Sequence, residues 1–302
     1  MLNLKFSWIM AIFTIFFVFT ITRKAGNSEV KVVDYIVPFV NYSKMLLTAP
    51  ENQLISCLIP KSMSQLTVNI MCLLYEKQEY FKNDYSLNDT WTSQRNCLEE
   101  FKFIHPLEPI QKGTVKFAFI RDPLKRFVSF YLDKCVREKH CYDCGTNMRC
   151  VVEKVYTNLK KIQNSWHGTS ELGYVEQHAA PMSWNCNFHK DIESWELIPI
   201  GSDANERTIA IERLSGLLKK QGVNQTLIEK VQEGRKSGET EHSTHASNAR
   251  FEAERIIQKD PYIQNLIYFF DYLVFPFTKD FKIPFTTTQY HRINHFETLY
   301  GS

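Results

Sequence analysis

Two apolar runs, LISCLI at residues 54–59 and VKFAFI at residues 115–120, each stop at a loop and give way to apolar residues at helical spacing. Runs of this length suit buried strands. After the first, Pro60 halts the strand, and Leu66, Ile70, Leu73 and Leu74 fall on one helical face. After the second, Asp122 stands as a helix N-cap with Pro123 at the first helical position. Leu124, Phe127, Val128, Tyr131 and Leu132 then form a single apolar stripe. Two strand–loop–helix units predict an α/β fold around a parallel sheet. Further along, residues 197–201 read as a strand, and residues 208–220 and 224–235 as helices. Residues 234–247 read as a polar loop, and residues 251–275 as a helix interrupted at Asp260-Pro261.

The two loops carry the chemistry. A loop that leaves a strand and opens a helix presents free N–H groups and the positive end of the helix dipole, which together bind anions. Within Pro60-Lys61-Ser62-Met63-Ser64, Lys61 adds a mobile positive charge, and Ser62 and Ser64 add hydroxyl donors. Arg121 leaves the second strand at its carboxyl end, where α/β sheets bind ligands. Its guanidinium can grip a phosphate through paired hydrogen bonds. Ser129 follows at roughly 10 Å along the next helix, within reach of a long arginine. Taken singly, the first loop reads as a solvated lysine with serine caps and the second as a helix-entry arginine paired with Asp122.

Together the loops resemble the paired donor loops of sulfotransferases. In that family a Pro-Lys-Ser loop holds the 5′-phosphosulfate of 3′-phosphoadenosine 5′-phosphosulfate, and an arginine and a serine eight residues apart hold its 3′-phosphate. Ile59-Pro60-Lys61-Ser62 matches the first, and Ile120-Arg121-Asp122-Pro123 through Arg126-Phe127-Val128-Ser129-Phe130-Tyr131 matches the second. Cys57 ahead of the lysine loop and the Arg-Asp-Pro-x-x-Arg-Phe form of the second resemble the membrane-anchored carbohydrate sulfotransferases, the group of the chondroitin 4-O-sulfotransferases. Met63, Gln65 and Leu66 stand where cytosolic sulfotransferases carry Gly-Thr and Trp, so the chain is a divergent relative. The resemblance implies a P-loop-like, three-layer sulfotransferase fold with a central parallel sheet. It implies that Lys61, Ser62, Ser64, Arg121 and Ser129 bind the donor, and that the acceptor is a glycan, chondroitin-type N-acetylgalactosamine at its 4-hydroxyl.

Transfer needs a base for the acceptor hydroxyl, and histidine titrates near neutrality. His178, in YVEQHAAP at residues 174–181, resembles the family's His-x-x-Pro segment, with Glu176 or Glu171 to orient it. The scheme is in-line displacement at sulfur: His178 takes the proton, Lys61 stabilises the leaving phosphate oxygen, and no metal is required. The stretch HSTHAS at residues 242–247 is expected to cover the donor through Ser247. Two other functions fit the same chain: an inactive lumenal protein that binds donor or glycan on this fold, and a secretory-pathway glycosyltransferase. The second is disfavoured because the chain has no Asp-x-Asp pair.

The first residues set the compartment. Residues 6–21, FSWIMAIFTIFFVFTI, carry no charge and precede Arg23 and Lys24. The run is short for a bilayer span, yet Thr22-Arg23-Lys24 is a poor cleavage site, so an uncleaved anchor is expected over a cleaved signal peptide. Sequons begin at Asn41, Asn88 and Asn224, and the chain has 8 cysteines. A single-pass Golgi membrane protein with a lumenal domain accounts for all three features. The division expected is anchor 1–24, stem 25–50, catalytic domain 51–285 and tail 286–302. Cys135, Cys141, Cys144 and Cys150 suit disulfides, with zinc the alternative, and Cys186 is expected to join that set. A net charge of +3 without a basic stripe argues against nucleic acid.

Overall fold

The computed structural model describes residues 35–40, 46–88, 111–165, 173–201, 203–233, 248–259 and 261–277. The apolar leader, Glu171, Ser247 and the tail after residue 285 lie outside the described residues. Among those described, no helix is long and apolar enough to cross a membrane.

Four strands form one sheet in the order β1 (Leu46–Ala49), β2 (Leu54–Cys57), β3 (Val115–Arg121), β4 (Trp195–Ile200). The pairs β2–β3 and β3–β4 are parallel, while β1, within the stretch expected as stem, adds an antiparallel edge to β2. The hairpin needs only residues 50–53, whereas each parallel pair needs a crossover through helices. Helices α1 (Ser64–Tyr75) and α2 (Lys77–Lys82) follow β2, and α3 (Pro123–Phe130) follows β3. A π-helical turn, Tyr131–Arg137, continues α3. Then come α4 (Met148–Asn164), α5 (Tyr174–Ala179), α6 (Phe188–Asp191), α7 (Ala204–Lys220), α8 (Gln225–Glu233), α9 (Asn248–Lys259) and α10 (Pro261–Val274).

Strand alternation sorts the core into layers. Phe117 and Phe119 of β3 pack with α1, α7 and α8, while Ala118 and Ile120 face Met182, Phe188 and Trp195. A third cluster joins α3, α4, α5 and α10 around Phe127, Phe130, Trp184 and Tyr268. The parallel strands are thus covered on both faces, as such sheets require.

Local chemistry sets the helix starts. The Asp122 carboxylate accepts from Lys125 N at 2.9 Å, with Pro123 in the first turn. Asp203 and Glu206 form a reciprocal capping box on α7. Gly201, between β4 and that box, leaves the space the Glu206 carboxylate fills; a Cβ there would lie 1.7 Å from its oxygen.

The cysteines form disulfides. Cys135 joins Cys141 and Cys144 joins Cys150, so these four sulfurs are not zinc ligands. Cys186 does not join that set. It bonds Cys57, because the segment after α5 runs beside the end of β2. That bridge spans 129 residues and anchors the lysine loop to the segment after His178.

Candidate active site

The chain after Cys57 cannot stay extended past Pro60. It turns through left-handed backbone at Lys61 (φ 66°) and Met63 (φ 56°) before α1 begins at Ser64. Non-glycine residues adopt that region at a cost of about 1–2 kcal/mol each. Two arginines of the second motif offset it. Arg121 Nη1 donates to the Lys61 carbonyl at 3.3 Å, and Arg126 Nη1 donates to the Pro60 carbonyl at 3.3 Å. The loop is therefore pinned from β3 and α3, and the first N–H groups of α1 are left without intrahelical acceptors.

Arg126 has a wider role than its place in the motif suggests. It is buried beneath the site at 1% exposure and also donates to His178 O at 3.2 Å, Ala179 O at 3.4 Å and Ala180 O. One side chain thus ties the lysine loop to the histidine segment. Tyr268 supports the arrangement through its hydroxyl, which donates to Ala179 O at 2.6 Å. Buried Asp271 accepts from Met182 N at 2.6 Å and Ser183 N at 3.1 Å, fixing the chain just beyond.

Lys61 and His178 are held in this frame, near enough for the lysine charge to act on the histidine. The Lys61 ammonium pairs with buried Asp133 on the π-helical turn, which also binds Lys134 and Arg137. Burial lowers the Lys61 pKa to about 8, against the upward pull of Asp133. His178 is half-buried, and burial lowers it to about 4, with the positive charge of Lys61 adding to the shift. Its Nδ1 lies 2.8 Å from the Tyr174 carbonyl, which can only accept, so Nδ1 carries the proton and Nε2 keeps the lone pair. Glu176 does not orient it. Two positions away on a helix it points elsewhere, and its carboxylate accepts from Tyr142 and, at 2.7 Å, from Asn158.

Ser62 is buried, and its hydroxyl has no partner among the described residues. Ser64 is half-buried at the first position of α1, and Ser129 is buried on α3. Arg121 sits in a basic cluster: burial first, then Arg250 of α9, lowers its pKa to about 9, and Arg207 of α7 adds to the effect. Sequence reasoning named neither Arg207 nor Arg250, since no motif or period marks them. Among the described residues, no group of three or more His, Cys, Asp or Glu side chains is placed to hold a metal ion.

The model of the sulfotransferase family matches residues 44–278. The chain belongs to the sulfotransferase family. It is 30% identical to carbohydrate sulfotransferase chst-1 of Caenorhabditis elegans over 262 residues, 82% of this chain and 79% of that protein. It is 31% identical to the putative sulfotransferase vep-2 of the same organism over 224 residues, 69% of this chain and 68% of that one. No solved structure matches it. For this sulfotransferase, the residues suit a doubly phosphorylated donor. The orphaned Ser62 hydroxyl and the open start of α1 offer donors at one end, and the Arg121–Arg207–Arg250 cluster offers charge at the other.

Proposed function

We propose that the protein transfers a sulfuryl group from 3′-phosphoadenosine 5′-phosphosulfate to a sugar hydroxyl of a glycan, the 4-hydroxyl of N-acetylgalactosamine in chondroitin. The observation that carries the reading is Arg126 holding Pro60 O and His178 O together, which ties the segment of Lys61 to that of His178. The likeness to carbohydrate sulfotransferase chst-1 supports a glycan acceptor.

The acceptor oxygen attacks sulfur while the bond from sulfur to the phosphate oxygen breaks, and adenosine 3′,5′-bisphosphate leaves. His178 Nε2 takes the hydroxyl proton. Lys61 meets the charge that grows on the departing oxygen, and Ser62 with the α1 N–H groups holds the 5′-phosphate. Arg121 and Ser129, with Arg250 beside them, hold the 3′-phosphate. Positioning supplies much of the acceleration.

The test incubates the full chain with sulfate-labelled donor and desulfated glycosaminoglycans. Label is expected in chondroitin, and Lys61→Ala is expected to lower it at least 100-fold, the scale of losing one transition-state charge partner. Wild-type turnover in Lys61→Ala would remove the lysine from the mechanism. Label in another glycan would replace the acceptor. Donor binding without any transfer would make this an inactive binding protein on the same fold.

A further inference from the structure

The backbone carbonyl of Tyr174 sets the His178 tautomer, but the side chain has no part in the proposed donor binding or proton transfer. The residue opens α5 one turn before His178 and is 46% exposed. An exposed tyrosine ordinarily samples several rotamers, yet this one is held. Its hydroxyl donates to Glu138 Oε2 at 2.8 Å, and the Lys134 ammonium lies 5.2 Å from the ring centroid. The ring lies 4.8 Å from that of His178 and 5.6 Å from that of His140, centroid to centroid. Glu138 is fixed in turn by Lys134 at 2.6 Å and lies 3.4 Å from His140 Nδ1. Although burial opposes it, the bonds from Lys134 and Tyr174 hold Glu138 down at about 2, so it remains an acceptor.

The result is a rigid aromatic ring beside the base, with hydrogen-bonding groups at its edge. A fixed tyrosine contributes contact area at little conformational cost, and apolar C–H groups pack well on its face. A pyranose offers that combination in reverse: a flat face of C–H groups and a rim of hydroxyls. With the two rings 4.8 Å apart, a sugar that gives its proton to His178 has the Tyr174 ring within reach. We propose that Tyr174 is the stacking platform for a pyranose ring of the acceptor glycan, with Glu138 and His140 taking its rim hydroxyls.

This rests on the reading of His178 as the base for a glycan hydroxyl, and the test separates the two. Full-length wild type, Tyr174→Leu and Tyr174→Phe are compared in three measurements. These are binding of a non-sulfated chondroitin hexasaccharide by saturation-transfer NMR with adenosine 3′,5′-bisphosphate present, acceptor KM, and affinity for the bisphosphate alone. Tyr174→Leu keeps apolar bulk without a ring, so it is expected to weaken the hexasaccharide and raise acceptor KM about 10-fold, the scale of one lost aromatic contact. Its affinity for the bisphosphate should match wild type, and Tyr174→Phe should stay within about 2-fold on all three measures. Unchanged hexasaccharide binding in Tyr174→Leu overturns the platform. So does a parallel loss of bisphosphate affinity, which would make the tyrosine a structural support, and so does a wild type that binds no hexasaccharide. A wild type that binds it through Tyr174 but transfers no sulfate upholds the platform and overturns the enzyme reading.

Discussion

The proposed mechanism asks Lys61 and His178 to hold different protonation states at one pH: the lysine charged against the leaving phosphate, the histidine neutral towards the hydroxyl. Burial lowers both, to about 8 and about 4. Activity should therefore rise with pH through about 4 and fall as pH climbs through about 8, read as kcat/KM against pH. Asp133 raises Lys61, while Lys134 and Arg137 lower it. Asp133→Asn should thus move the upper limb to lower pH, and the lower limb slightly the same way, since Asp133 also raises His178. An upper limb that stays in place would separate Lys61 from that ionisation. The loops that carry Lys61 and Arg121 were legible in the sequence because proline, strand ends and a helix cap mark both. The Asp133 contact was not, because it joins residues 72 apart through a π-helical turn that no pattern announces. Glu176 was misread because sequence nearness to His178 says nothing of the side on which a helical residue stands.

Helix α3 joins the two loops into one site, and Arg126 is the means. It lies off the apolar stripe of the helix, and its place in the Arg-Asp-Pro-x-x-Arg-Phe motif is the one sign the sequence gives of it. The carbonyls it serves belong to residues 60 and 178–180, which only the folded chain brings together. Arg126→Met keeps the bulk and removes every donor, leaving buried carbonyls unsatisfied at about 1–3 kcal/mol each. A loss of about 3 kcal/mol is expected, a fall in Tm of roughly 6–12 °C, together with loss of transfer. Arg126→Lys restores the charge but not the planar fork, so it should recover part of the stability and little of the activity. Equal activity in Arg126→Lys and wild type would show that the fork does not position the site. At this scale the strand–loop–helix units were plain from periodicity. The antiparallel β1 was not, since Leu46–Ala49 is short and buried on both sides without alternation.

In the whole molecule, one end of the sheet gathers what separate stretches of chain supply: Lys61 beyond β2, Arg121 closing β3, Arg207 on the helix after β4, and Arg250 from α9. Ligands of parallel α/β sheets bind at these strand ends. The topology follows from alternating strand and helix patterns, but the meeting of Arg207 and Arg250 at Arg121 depends on packing across more than one layer. Burial is the main cause of the lowered Arg121 pKa, and repulsion from Arg250 and Arg207 adds to it against the pull of Asp122 and Glu254. A phosphate there reverses the sign of the interaction, so the site should favour the ligand with a 3′-phosphate over one without it. Adenosine 3′,5′-bisphosphate at about 100 times its Kd should stabilise the fold by about 2.7 kcal/mol. The 5′-monophosphate at the same concentration should stabilise it far less. Arg250→Ala should narrow that difference while leaving the response to the monophosphate as it was, and added salt should narrow it as well. Thermal melts of the two proteins with each nucleotide decide the matter. An equal rise with both nucleotides would place the 3′-phosphate away from these arginines, whereas a gap that closes in Arg250→Ala ties α9 to donor recognition.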